Sequence, residues 1–306
     1  ATDNLTMDLR ASYSEIETGA ALFYPTTVSP VWPNTTVPNV LIEDFEAIAN
    51  REINDVYLKI DWETENGTLT SVTGQDELFE TLNQSFDWLQ ISLIEGLLTT
   101  DTETFTQELR WVSPGEDRMR YIVGGFYQET QRIRGVEPRL NFLCVAPPFD
   151  CSPENKFLGP VNVSFVEQNF EVMAFFGQVE YDFSENLTGL FSLRYDEDDR
   201  SVTRITLGFD DTATFSLWQP KFSLSYDWND DLMTYASAAR GFRSGGFNDT
   251  AAFGFLYDQE EVWTYELGFK SSYMNDRVRF NGAVFYTDYD DQQFFLIDEF
   301  NSQALV

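Results

Sequence analysis

Trp263-Thr264-Tyr265-Glu266-Leu267-Gly268-Phe269-Lys270 alternates apolar and polar residues with a period of two. Because successive side chains of a β-strand point to opposite faces of a sheet, this stretch predicts a strand with one apolar face and one polar face. The same alternation recurs in Leu5–Tyr13, Val56–Trp62, Phe222–Trp228 and Val278–Val284. We count about eleven such strands along the 306 residues, so the sequence predicts an all-β protein.

The connections between these strands alternate in length. Short polar turns are predicted at 65–67, 114–117, 184–186, 229–231 and 275–276, and longer connections at 17–50, 80–98, 132–166, 200–213 and 247–258. Short turns at one end and long loops at the other are typical of outer-membrane β-barrels. The strand count is odd, whereas bacterial single-chain barrels have even numbers of strands. We therefore expect an antiparallel transmembrane β-barrel segment that forms an open, curved sheet.

The composition combines abundant aromatic residues with high acidity. Aromatic residues make up 16% of the chain, yet its mean hydropathy is −0.30 and its formal net charge is −32. A barrel with a lipid-facing exterior and a wet interior accounts for both properties. Such an acidic surface repels phosphate and argues against a nucleic-acid partner. The chain has no histidine, the commonest general base and metal ligand, so we expect neither an enzyme nor a cofactor.

The alternation assigns individual side chains to the two predicted faces. Glu266 and Lys270 should face the lumen, and Arg240 and Arg243 should lie near the extracellular mouth, where one of them could face an anionic ligand. Aromatic residues beside the turns, such as Trp228, suit the interfacial girdle of a membrane barrel. The alternative for such rings is the core of a soluble sheet. The predicted lipid-facing residues are Trp263, Tyr265, Leu267, Phe269, Phe222, Leu224 and Tyr226.

Two further patterns have competing interpretations. The glycine-rich stretch Gly241–Phe247 could suggest a phosphate-binding loop, but neither a Lys-Ser/Thr pair nor a helix follows it. We interpret it as a strand end that bends into a loop, where glycines permit close backbone approach. The acidic runs 196–199 and 288–291 could gather Ca²⁺, but their spacing differs from that of a calcium loop and favours solvated strand ends.

The chain has two cysteines, Cys144 and Cys151, close together in a proline-rich stretch. In an oxidising compartment they would form a disulfide within one loop. In a reducing cytosol they would remain free or belong to a metal site that lacks its other ligands. The predicted envelope location favours the disulfide, and we expect no metal site.

Several stretches resemble TonB-dependent outer-membrane receptors. Phe105–Gly115 is similar to the family's FxQELRxxSP hairpin, and Phe176–Asp182 to its FGQxxYD strand. The patterns PKxSLxY, YASxxxGFRSGGFN, YELGxK and AxFYTDYDD have counterparts at 220–226, 235–248, 265–270 and 283–291. These matches occur in the family's order, on strands that the alternation locates independently. The resemblance covers residues 100–300 best.

The resemblance implies an active importer in the bacterial outer membrane, built as a 22-stranded barrel that an N-terminal plug fills. Residues 1–306 would then be one partial barrel domain, with the plug and the C-terminal strands absent from this sequence. The implied partners are outer-membrane lipid, the TonB complex through the plug, and a small-molecule ligand such as a ferric siderophore or another scarce nutrient. A passive porin or adhesin-like barrel, and a soluble carbohydrate-binding or hydrolytic β-protein, remain as alternatives.

Overall fold

The chain is almost entirely β-structure in a computed structural model that describes residues 4–19, 47–85, 93–145, 149, 158–161, 163–206, 208–248, 256–297 and 303–305. No helix within these ranges has the length and apolar character to cross a membrane. The elements are β1 (Leu5–Gly19), β2 (Ile48–Thr64), β3 (Gly67–Ser85), β4 (Ile94–Val112), β5 (Met119–Asn141), α1 (Phe142–Val145), β6 (Leu158–Pro160), β7 (Ser164–Asp182), β8 (Leu187–Arg204), β9 (Phe209–Asn229), β10 (Leu232–Arg243), β11 (Gly246–Phe247), β12 (Leu256–Tyr257), β13 (Glu260–Tyr273), β14 (Val278–Asp290), β15 (Phe295–Ile297) and β16 (Gln303–Leu305).

Eleven long strands form one antiparallel meander. Each pairs with its neighbour in the order β1-β2-β3-β4-β5-β7-β8-β9-β10-β13-β14, and the short β6 pairs with the end of β5. The sheet is open, with β1 and β14 at its edges. The prediction of about eleven antiparallel strands in an open sheet is therefore confirmed.

The turns lie where the sequence predicts them, but the strands extend further than expected at the opposite end. β2 and β3 are joined by a tight turn at 65–66, and β13 and β14 by a turn at 274–277. The predicted long connection at 200–213 is wrong, because β8 continues to residue 204 and β9 already begins at residue 209. The apolar residues of these strand ends, such as Val202, Ala213 and Phe215, lie on the opposite face from those nearer the turns, so the alternation is interrupted while the backbone ladder continues.

The cross-strand register sorts the side chains onto two faces. Leu224, Ala236 and Leu267 lie side by side on β9, β10 and β13, and they define the apolar face. The next pair along β10 and β13 is Tyr235 with Gly268, and it lies on the opposite face, which we call the polar face. The alternation in the sequence is thus converted into two chemically different surfaces of one sheet.

At five places in the described part of the sheet, an aromatic ring lies so close over the glycine opposite it that a side chain on the glycine would collide with the ring. A Cβ on each glycine would lie 2.5–2.8 Å from an atom of the ring opposite, so each ring occupies the space above the glycine. Such pairs fix the register of a sheet, because a slip would press the ring against a side chain. The pairs are Gly74 with Tyr57, Gly124 with Phe176, Gly135 with Phe165, Gly268 with Tyr235 and Gly282 with Phe269.

Candidate functional site

Glu266 and Lys270 meet on the polar face around Tyr235. The Tyr235 hydroxyl donates a hydrogen bond to the Glu266 carboxylate, and the Lys270 ammonium lies 5.9 Å from the centroid of the tyrosine ring. Gly268 leaves room for that ring directly opposite it. A carboxylate and an ammonium are therefore held beside one aromatic ring on the polar face.

The register separates the other two candidate residues. Arg240 lies opposite Trp263, on the apolar face, where its guanidinium is paired with the carboxylate of Glu261. Arg243 ends β10 opposite Glu260 and is exposed. Of the four residues expected at the lumen or mouth, the structure brings together only Glu266 and Lys270.

A charged ladder on the polar face of β8 was not anticipated. Arg194 binds the carboxylate of Asp196 at 2.6 Å, and Arg200 that of Asp198 at 2.8 Å. The Arg200 guanidinium also lies 5.0 Å from the centroid of the Phe170 ring on β7. Both aspartates are buried, so the expectation that this acidic run is fully solvated is wrong for them. The ladder could have been predicted from the sequence, because its four charged residues occupy alternate positions of one strand and therefore share a face.

The carboxylates of this ladder do not gather into a metal site. Within the described ranges, no group of three or more aspartate, glutamate, histidine or cysteine residues could hold an ion. Each buried aspartate instead faces a guanidinium on its own strand. The ladder consequently places paired charges and aromatic rings on the polar face.

A second ion-pair network lies at the turn end of β5 and β7. The Arg120 guanidinium binds the Glu180 carboxylate at 2.5 Å and the Asp182 carboxylate at 2.6 Å. Asp182, the last residue of β7, also accepts a hydrogen bond from the Thr188 hydroxyl at 2.8 Å. Arg120 thereby links β5 to β7 through two ion pairs at the turn end of these strands.

All seven residues expected to contact lipid lie on the apolar face. The register aligns Phe222 with Tyr265, Leu224 with Leu267 and Tyr226 with Phe269, each pair through one residue of β10. Most of these side chains are exposed, whereas Trp263 and Phe269 are half-buried. Trp263 stacks on Tyr265 with ring centroids 5.9 Å apart. The surface has the chemistry that a bilayer requires, and its contact with lipid remains a prediction.

The described residues include only one of the two cysteines. Cys144 lies in α1 and is disulfide-bonded. Cys151 lies outside the described residues. The Cys144–Cys151 pairing remains a prediction from the sequence.

Comparison with known proteins gives a consistent picture. A family model described as "TonB dependent receptor-like, beta-barrel" matches residues 1–304. The metal-pseudopaline receptor CntO of Pseudomonas aeruginosa is 28% identical over 125 residues, which are 39% of this chain and 17% of that protein.

Solved structures show the same fold. The ferric yersiniabactin uptake receptor FyuA from Yersinia pestis superposes with a TM-score of 0.74 at 16% identity, over 95% of this chain and 44% of that one. The alcaligin outer membrane receptor FauA from Bordetella pertussis gives a TM-score of 0.62 at 13% identity, over 96% of this chain and 42% of that one. The chain thus spans less than half the length of these structures and a smaller part of the curated relative.

Proposed function

Because this chain belongs to the family of TonB-dependent receptor β-barrels, we propose that it serves the import of a metal chelate, such as a ferric siderophore, or of another scarce nutrient across the bacterial outer membrane. The family and the fold are those of transport receptors. The observation that carries the proposal is the match of the family model to residues 1–304. The two-faced antiparallel meander adds the physical basis, a lipid-compatible exterior and a charged, aromatic interior.

The substrate class is inferred from similar proteins. The relative of this chain in Pseudomonas aeruginosa is a receptor for metal-pseudopaline, and the similar structures include a ferric yersiniabactin uptake receptor. A metal chelate is the chemistry that these names share. On the polar face, Glu266 and Lys270 are the candidate contacts for such a ligand, since both are fixed around Tyr235.

The rest of the transport machinery belongs to the same proposal. Residues 1–306 would form part of a 22-stranded barrel, together with further strands and a plug that contacts the TonB complex. The similar structures support this, since the eleven-stranded meander covers 44% of one of them. We propose no enzymatic reaction for the chain.

Growth under iron limitation tests the proposal. The complete open reading frame that contains this chain would be expressed in a Gram-negative strain without siderophore receptors of its own, and a panel of ferric siderophores supplied. We expect at least one chelate to restore growth in a strain with TonB and not in the matched strain without it. Uptake that is independent of TonB would indicate a passive porin instead, and failure of every metal chelate would exclude this substrate class.

A further inference from the structure

The residues that follow β10 turn inward over the polar face. We call residues 244–248 the inward segment. The Gln168 side chain on β7 donates a hydrogen bond from Nε2 to the carbonyl of Phe247 at 3.2 Å, and the Arg204 guanidinium on β8 donates one to the carbonyl of Asn248 at 2.7 Å. Both anchors are buried, Arg204 to 2% exposure. Two strands that lie far from this segment in sequence therefore hold its backbone.

An apolar contact holds the same segment. Phe247 is 7% exposed and packs against Val166 on β7 and Val202 on β8, with Ala213 of β9 beside them. These residues lie in a part of the sheet where the polar face carries apolar side chains. Phe247 covers that patch, and burial of the ring favours the docked position over a solvated one.

The glycines of the stretch Gly241–Phe247 make this approach possible. A Cβ on Gly245 would lie 2.3 Å from the Phe215 ring and 2.4 Å from the carbonyl oxygen of Tyr257. A Cβ on Gly246 would lie 2.6 Å from the Tyr257 hydroxyl. Larger residues at these positions would push the segment off the sheet, as expected for glycines that permit close backbone approach.

A third anchor comes from the chain after β14. The Gln293 side chain donates hydrogen bonds from Nε2 to the carbonyls of Ser244 and Asp258, both at 3.0 Å. Its backbone N–H donates to the Glu260 carboxylate at 2.8 Å. Gln293 thereby clamps the start of the inward segment to the residues that precede β13.

We propose that Gln168, Arg204 and Gln293 are positioning residues for ligand recognition. They hold the inward segment against the polar face, so that it forms a fixed upper wall of the ligand path. The inference rests on the proposed import function. A wall that is ordered before binding spares the ligand the entropy of ordering a loop. Loss of one anchor hydrogen bond should therefore raise the apparent KM for import by about three- to tenfold and leave the maximal rate largely unchanged.

Cysteine accessibility tests whether the anchors hold the segment. In the complete receptor, Asn248→Cys would be labelled in intact cells with a membrane-impermeant maleimide, with the receptor lacking this substitution as background. We expect slow labelling compared with Asp210→Cys, an exposed position on β9, and an increase of about three- to tenfold when Gln168→Ala or Gln293→Ala is added. Gln178→Ala, a half-buried glutamine on the same face of β7, is the matched control and should change nothing.

Glycine variants give a second test that keeps the side-chain anchors intact. Gly245→Val should release the segment and accelerate labelling, whereas Gly241→Ala should not, because its nearest neighbour lies 3.7 Å from the added Cβ. Equal labelling in all variants, or a KM that is unchanged when the segment is released, would overturn the proposal. If the receptor imports no chelate at all, the import function fails, while the labelling rates still decide whether the anchors hold the segment.

Discussion

Replacing Leu224 by arginine should destabilise the receptor in a bilayer by about 2–4 kcal/mol, the cost of a cation at the midplane of a membrane barrel. The depth follows from the tryptophans of β9. Trp218 and Trp228 both lie on the apolar face and are ten residues apart (228 − 218 = 10). At about 3.4 Å per residue and a strand tilt of about 40°, they are separated by about 26 Å across the membrane, close to the height of an apolar band.

Leu224 lies near the middle of this band. It is one residue from the midpoint between the two tryptophans, about 3 Å along the strand, and its side chain is 49% exposed on the apolar face. Ser223 lies at the same depth but points to the polar face, opposite Ser237. Ser223→Arg is therefore the matched control, and we expect it to change stability by less than about 1 kcal/mol, since a lumenal side chain remains hydrated.

Urea unfolding of the complete receptor in phospholipid vesicles measures both effects. Tryptophan fluorescence and electrophoretic mobility would report the unfolding midpoint, and its shift multiplied by the m-value gives the change in free energy. A cost for Ser223→Arg as large as that for Leu224→Arg, or larger, would refute the assignment of the two faces.

Three further predictions concern packing, charge and covalent structure. Gly268→Leu should cost about 1–3 kcal/mol in the same unfolding assay, because its Cβ would lie 2.6 Å from the tyrosine ring opposite. Arg120→Ala should lower the unfolding midpoint in this assay, because it removes the ion pairs of Arg120 with Glu180 and Asp182 that link β5 to β7. Mass spectrometry of the unreduced protein should recover a peptide that links Cys144 to Cys151, and alkylation of both thiols without reduction would contradict the pairing.

The sequence was sufficient for the strands and their faces because both depend on local, periodic information. The alternation in Trp263–Lys270 assigns each side chain to a face with no knowledge of the neighbouring strands. Turn residues such as Asn275 and Asp276 likewise act locally, and both have positive φ in the structure. The strand ends were harder to predict, since residues 200–204 pair in the ladder without any apolar alternation.

The lumen chemistry required the tertiary structure. Nothing in the sequence around Arg240 shows that it lies opposite Trp263 on the apolar face, because the pairing of β10 with β13 decides this. The sequence indicated that the glycines at 245 and 246 are sites of close backbone approach. It did not indicate which surface they approach. That surface is built by Gln168 and Arg204, which come from other strands.

The chain itself therefore determined an amphipathic antiparallel meander, because alternation of side chains along one strand is a property of that strand alone. Only the folded sheet decided which polar groups meet, since register and the inward path of the residues after β10 arise from contacts between distant strands. That is why the family and the two faces could be inferred from the sequence, whereas the anchoring of the inward segment over the polar face could not.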